Sequence, residues 1–99
     1  MTIQSHSFLT DADRAAISNI TSRATVRQIA QQVCEVTGAN YAAIMGPNRA
    51  AHLCRVREVI YYIATREGFS LPQIGRVFGR DHTTILSGLR NEKARRGEE

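Results

Sequence analysis

Residues 70–96 read SLPQIGRVFGRDHTTILSGLRNEKARR, and this stretch decides the fold. Ser70 followed by Gln73 three residues on is a capping-box pattern, and Pro72 falls in a first helical turn, where its missing N–H costs nothing. Leu71, Ile74, Val77 and Phe78 recur at helical spacing and give that helix an inner face. Gly75 in mid-helix costs about 1 kcal/mol against alanine, which predicts a close helix–helix approach there. Gly79 ends the helix, Arg80 turns, and Asp81 caps a second helix to about Arg95, with Ile85, Leu86 and Leu89 facing inward. A short helix, a tight glycine turn and a second helix form the helix-turn-helix layout. Helix hairpins of this kind occur in any helical bundle, so the start of the second helix carries the distinction. Asp81, His82, Thr83 and Thr84 place four short hydrogen-bonding side chains where a recognition helix meets base edges, whereas a plain cap needs only the first. Asp accepts from cytosine N4, His and Thr donate or accept, and the Thr methyl suits thymine. The helix start also offers free N–H groups to phosphate.

Upstream, from about Ala50 to Glu67, Leu53, Val56, Val59, Ile60, Ile63 and Ala64 follow the helical period, and Gly68 ends the segment. Gly46-Pro47-Asn48 breaks the chain before it, and residues 41–45 suffice for a single packed turn. Thr25 starts another helix, in which Val26, Ile29, Ala30, Val33 and Cys34 form one stripe and Gly38 is the C-cap. Thr10 or Asp11 caps a short helix to about Asn19, preceded by an arm at residues 1–9. The expected fold is therefore all-α, a small helical bundle with a helix-turn-helix. Residues 1–24 form an arm and short helix, and residues 25–96 the helix-turn-helix domain. Tyr61 and Tyr62 are adjacent, so only one is expected to face the core fully. Lys93 to Arg96 read as a solvated helix end favoured by the dipole. His6 and His52 read as arm and helix surface.

The 99 residues hold one domain with one modest core. The net charge is +4, from 13 Lys+Arg against 9 Asp+Glu, and Lys93 is the only lysine. Residues 1–48 are balanced, with Arg14, Arg23 and Arg27 against Asp11, Asp13 and Glu35. Residues 49–96 carry nine arginines and Lys93 against Glu58, Glu67, Asp81 and Glu92, a balance of +6. That field favours a polyanionic partner for the second half, and arginine suits bidentate recognition of phosphate and guanine. Cys34 and Cys54 lack a C-x-x-C pairing or a zinc-spaced histidine, so they read as buried or half-buried free thiols and no metal is expected. No carboxylate cluster, Ser/His/Asp arrangement or Cys–His pair at catalytic spacing occurs, so neither an enzyme nor a cofactor is expected. The chain opens with no leader pattern and contains no run of 18 apolar residues, which predicts a cytoplasmic protein with no membrane partner.

The segment SLPQIGRVFGRDHTTILSGLR resembles the signature of the C-terminal DNA-binding domain of the bacterial replication initiator DnaA. That signature runs from a Ser-Leu-Pro-x-Ile-Gly helix through Arg-Asp-His-Thr-Thr into a recognition helix. Thr25 to Ile29, with Val33 and Glu35, resemble the family's first helix, and residues 41–45 its short second one. Asn48 to Arg57 stand where the family has its basic loop and the start of its third helix. The resemblance spans about Thr25 to Lys93. It implies a Trp-repressor-like helix-turn-helix that reads an initiator box in double-stranded DNA. Asp81, His82 and Thr83 match positions that reach base edges in the major groove, Pro72 one that packs on a thymine methyl, and Arg49 an arginine that enters the minor groove. Arg57 and Thr84 match phosphate contacts, the Ser70 and Leu71 backbone is expected to grip phosphate, and Arg80 joins that set. Gly88 marks a position where a small residue lets the helix lie near the bases.

Departures from the family pattern are equally legible. The basic loop, Gly46-Pro47-Asn48-Arg49-Ala50-Ala51, has one arginine where the family has several cations. Glu58 stands where a neutral amide often assists the phosphate contact, and a carboxylate there repels DNA. The Phe-Gly-Arg-Asp turn is one residue shorter than usual, and so is the third helix near Arg66 to Phe69. No G-x-x-x-x-G-K-[ST] occurs, so the initiator's ATP module is not in these residues. Met1 and the distinct residues 2–24 point to a small protein in its own right. The expected role is a nucleoid-associated monomer that regulates replication initiation or transcription by occupying initiator boxes, in competition with the full-length initiator. The alternative, from a different class, is a protein-interaction module that keeps the fold while DNA contact weakens, supported by the thin loop and Glu58.

Overall fold

In the computed structural model of the chain, residues 24–98 are described. The arm, His6 and the helix expected from Thr10 or Asp11 lie outside them. Five helices follow in order: α1 (Val26–Thr37), α2 (Tyr41–Met45), α3 (Ala51–Arg66), α4 (Leu71–Phe78) and α5 (His82–Arg95). All regular structure among the described residues is helical, as the periodicity predicts.

Local chemistry sets most boundaries. At α1 the Thr25 hydroxyl accepts from Gln28 N at 3.1 Å while Gln28 Oε1 accepts from Thr25 N at 2.9 Å. Gly38, at φ 79°, then donates its N–H to Cys34 O at 2.8 Å and ends the helix. The same reciprocal box opens α4, between Ser70 and Gln73, and Gly79 closes it at φ 66°. Asp81 caps α5 by accepting from Thr84 N at 3.2 Å. Ahead of α3 the cap residue is Ala50, whose N–H is taken by Asn48 Oδ1 at 2.9 Å.

Helix α3 is the axis of the bundle, packed against α1 on one side and α5 on another. Ile29 and Val33 of α1, Ile44 of α2, Val59 and Ile60 of α3, Ile74 of α4 and Ile85 of α5 converge as fully buried side chains. Because α3 is surrounded, Tyr61 and Tyr62 are both buried at 3% exposure, against the expectation of only one. Tyr61 meets the edge of Phe78, with ring centroids 5.2 Å apart. Tyr62 points to the chain's end, donating to Glu98 Oε2 at 2.6 Å and lying 4.0 Å beneath the Arg96 guanidinium.

In the last turn of α5, Ala94 and Arg95 are exposed and Lys93 and Arg96 half-buried, but the arginines there are engaged. Glu92 is 2% exposed and accepts from Arg95 Nη2 at 2.9 Å and Arg96 Nε at 2.7 Å. A carboxylate taken out of water needs such partners, and two arginines supply them. Arg95 also pairs with Glu58, clamping the end of α5 to α3. Cys34 is buried, and burial pushes its thiol pKa up. Among the described residues, no helix is long and apolar enough to cross a membrane.

Candidate nucleic-acid interface

The chain between α4 and α5 is three residues long, Gly79 to Asp81, and it is held from below. Arg80 N donates to Gly75 O at 2.9 Å, folding the turn onto α4. This is why position 75 is glycine: a Cβ there would overlap the Arg80 carbonyl oxygen and stand 3.6 Å from the Asp81 carbonyl carbon. The close approach expected at Gly75 exists, but the partner is the turn's own backbone, not a neighbouring helix.

From this turn Asp81, His82, Thr83 and Thr84 emerge exposed, and Ile85 immediately returns to the core. The Asp81 carboxylate organises the group. Its Oδ1 accepts from Thr83 Oγ1 at 2.6 Å, Thr84 N at 3.2 Å and Thr84 Oγ1 at 3.4 Å. Chiefly the Thr83 hydroxyl, then the Thr84 N–H, hold this carboxyl below its usual pKa range. One helical turn on, Ser87, Arg90 and Asn91 are also exposed. The recognition edge is thus a continuous polar face with its first turn pre-arranged.

At the start of α4, Pro72 is exposed and Leu71 half-buried. Gln73 Oε1 accepts from Ser70 N at 2.7 Å, so of the two backbone donors expected to grip phosphate, the Ser70 N–H is already engaged within the helix start. Arg49 is exposed on the 46–50 loop, on the same side as the α5 start. Between loop and helix lies an open groove of about 650 Å³, lined by Arg49, Arg57, Arg80, Thr84, Ser87 and Asn91.

Three expected roles change here. Arg57 is 4% exposed, and four of its five N–H groups are used inside the protein. Nε donates to Ile44 O at 2.8 Å, Nη2 to Ala43 O at 2.9 Å and Gly46 O at 3.0 Å, and Nη1 to Cys54 Sγ at 3.8 Å. It is the cap of α2 first, and one N–H at most faces the groove for a phosphate. Gly88 faces α3, where a Cβ would stand 2.8 Å from Tyr61 Cδ2 and 3.1 Å from Glu58 Cγ, so helix packing by itself calls for glycine at this groove-lining position. Glu58 is no open anion: Arg95 pairs with it, and Asn91 Nδ2 donates to its Oε2 at 3.1 Å. The sequence carries a signal for Arg57, which falls at i, i+3, i+4, i+7 among Leu53, Val56 and Ile60 of the buried stripe.

Helices α3, α4 and α5 and the 46–50 loop thus line one groove, with Glu58, Tyr61 and Phe78 beside its polar and basic groups. The family model for the bacterial DnaA protein helix-turn-helix matches residues 26–91. The chain is 40% identical over 70 residues to the chromosomal replication initiator protein DnaA of Cereibacter sphaeroides (strain ATCC 17029 / ATH 2.4.9), covering 69% of this chain and 15% of that protein. To the same-named protein of Ruegeria sp. (strain TM1040) it is 41% identical over 68 residues, 67% of this chain and 14% of the relative. To that of Thermoanaerobacter sp. (strain X514) it is 32% identical over 71 residues, 71% and 16%. The chain therefore spans about a sixth or less of the length of these relatives. No solved structure matches.

Proposed function

This chain belongs to the bacterial DnaA helix-turn-helix family, and from that premise we propose that it binds double-stranded DNA sequence-specifically. It binds as a monomer on the nucleoid, at sites resembling the initiator's boxes. The observation that carries the reading is the exposed Asp81-His82-Thr83-Thr84 turn, ordered around Asp81 Oδ1 at the positive end of α5. His82, Thr83 and Asp81 read base edges, Pro72 meets a thymine methyl, and Arg49 reaches the adjacent minor groove. Thr84, the Leu71 N–H and the remaining N–H of Arg57 meet phosphate, which fixes orientation without reading sequence. Occupying such boxes makes the protein a regulator of replication initiation or transcription, by competition with a full-length initiator. The alternative of a protein-interaction module loses one of its two supports, because Arg95 already compensates Glu58.

Selection from random duplexes, followed by titration of the selected and scrambled sequences at two salt concentrations, tests the reading. The selected duplex is expected to bind more tightly at both salts. Equal affinity for the two would sink it. Replacing His82 and Thr83 with alanine is expected to cost about 1–3 kcal/mol of discrimination per lost contact while leaving non-specific binding nearly intact. A second variant reports on charge. Glu58→Gln keeps a partner for Asn91 and frees Arg95, so binding to all duplexes is expected to tighten. The slope of log K against log salt is expected to steepen by up to ~0.9. An unchanged slope would mean that Arg95 stays with Glu92.

A further inference from the structure

Two guanidinium groups meet at one carbonyl oxygen. Gly46 O accepts from Arg80 Nη2 at 2.9 Å and from Arg57 Nη2 at 3.0 Å. A carbonyl oxygen has two lone pairs, so this acceptor is filled. Arg80 donates a second time, from Nη1 to Phe78 O at 3.2 Å, at the C-terminal end of α4. One planar fork therefore spans two acceptors on two segments 32 residues apart in sequence, residues 46 and 78. Gly46 opens the loop that carries the exposed Arg49, and Arg80 immediately precedes Asp81. The two arginines divide the work: Arg57 ties the loop to α3, and Arg80 ties it to the turn from which the recognition helix starts.

We infer that Arg80 is a positioning residue for DNA reading, holding the Arg49 loop at a fixed offset from Asp81-His82-Thr83, and is not primarily a phosphate ligand. The inference rests on the DNA-reading function proposed above. Its physical basis is pre-organisation. A protein that reads two grooves at once gains the full discrimination of both arms only if they are already spaced to seat together; a loop that must be ordered on binding forfeits part of its contact energy. Within the loop, Asn48 Oδ1 accepts from Ala50 N, a local turn that leads into α3. Arg80 supplies the constraint on the side that faces α5. A lysine keeps the charge but presents a single nitrogen, which cannot reproduce the fork across Phe78 O and Gly46 O.

Arg80→Lys separates the two roles. Arg49→Ala, His82→Ala, Arg80→Lys and the Arg49→Ala/Arg80→Lys double variant are titrated against the selected duplex and its single-base-pair variants. Arg49→Ala first identifies the base pairs read by the loop, where discrimination falls by roughly 5- to 150-fold. Arg80→Lys is expected to lose discrimination at those same base pairs and to keep it at the ones that His82→Ala abolishes. The double variant is expected to be no worse than Arg49→Ala there. If Arg80→Lys discriminates as the wild type does at every base pair, positioning is wrong. Positioning is equally wrong if Arg80→Ala weakens all duplexes alike and flattens the salt slope by ~0.9, because that is the signature of a phosphate contact. Amide exchange without DNA gives an independent readout. Faster exchange at residues 48–50 in Arg80→Lys, with thermal unfolding unchanged, supports the tether, and unchanged exchange there overturns it. Should Arg80→Lys fail to fold, Arg80→Gln, which can reach only one acceptor, is read in the same way. A wild-type chain that does not discriminate between duplexes at all overturns the DNA reading itself, which the exchange measurement does not depend on.

Discussion

Arg57→Met is expected to lower the unfolding free energy by about 2–4 kcal/mol, because backbone acceptors cannot be removed together with their donor. Arg57 reaches the carbonyls of Ala43, Ile44 and Gly46 at once. Ala43 O keeps the Gly46 N–H at 3.2 Å, and Gly46 O keeps Arg80. Ile44 O, on a residue fully buried in the core, keeps nothing comparable. An acceptor stranded in that way costs roughly 1–3 kcal/mol, and the weakened pair at Ala43 and Gly46 adds to it. Two effects work in the other direction. Methionine fills most of the vacated volume, which keeps the cavity contribution small, and a desolvated cation is no longer held inside. The acceptors win because α2 is a single turn of five residues with no stability of its own, so losing its C-terminal cap loosens the whole 41–50 segment. Against a typical domain stability of about 5–15 kcal/mol, this is a large fraction. Urea unfolding followed by circular dichroism measures it. A midpoint equal to that of the wild type would show that Arg57 is held for DNA and not for the fold.

Which features could be read without the structure follows from how far apart their partners lie. The starts of α1, α4 and α5 are each determined within three residues, by Thr25 and Gln28, by Ser70 and Gln73, and by Asp81 and Thr84. Their stops at Gly38 and Gly79 depend only on a left-handed backbone that glycine adopts freely. The four-residue recognition turn is legible as an unbroken run of polar side chains ahead of Ile85, although the helical period alone would place Asp81 and His82 on the face of Ile85. The roles of charged residues are different. Arg57 and Glu92 both fall in apolar stripes, where the pattern marks them as interior but names no partner. Glu92 is satisfied by arginines three and four residues on, which local reasoning can reach. Glu58 and Arg95 lie 37 residues apart, and Arg80 and the Gly46 carbonyl 34. Pairings at that range depend on how α3, α4 and α5 stack, so the balance of +6 over residues 49–96 gives the net field but not which cations are open to DNA. Arg57, Arg80, Arg95 and Arg96 are engaged inside the fold, while Arg49, Arg76 and Arg90 are among the exposed cations of this half.

Gly75→Ala is expected to destabilise the domain by about 2 kcal/mol and to weaken DNA discrimination beyond what the stability loss explains. In an exposed helix interior the same substitution would stabilise by about 1 kcal/mol, through higher helix propensity. Here the added methyl meets the Arg80 carbonyl oxygen well inside van der Waals contact, while the Arg80 and Asp81 carbonyl carbons stand at ordinary contact, 3.5 and 3.6 Å. The obstacle is backbone, which cannot rotate away as a side chain could, so the turn must lift off α4. Lifting it lengthens the Arg80 N–H bond to Gly75 O and pulls on the fork from Arg80 to Phe78 O and Gly46 O. Overpacking against fixed structure costs about 1–3 kcal/mol or more, and the strained hydrogen bonds come on top, so the loss exceeds the propensity gain. The functional consequence follows from the chain direction. Arg80 leads straight into Asp81, whose carboxylate orders Thr83 and Thr84, so displacing the turn displaces the whole reading edge relative to Arg49. Gly88→Ala provides the contrast. Its methyl meets the Tyr61 ring and the Glu58 stem on α3, so it disturbs helix packing without touching the turn. At concentrations where both variants are fully folded, Gly75→Ala is expected to lose discrimination between selected and scrambled duplexes while Gly88→Ala keeps more of it. Equal discrimination by the two folded variants would show that the turn tolerates the shift, and that the position of the α5 start is set by the core packing of Ile85 instead.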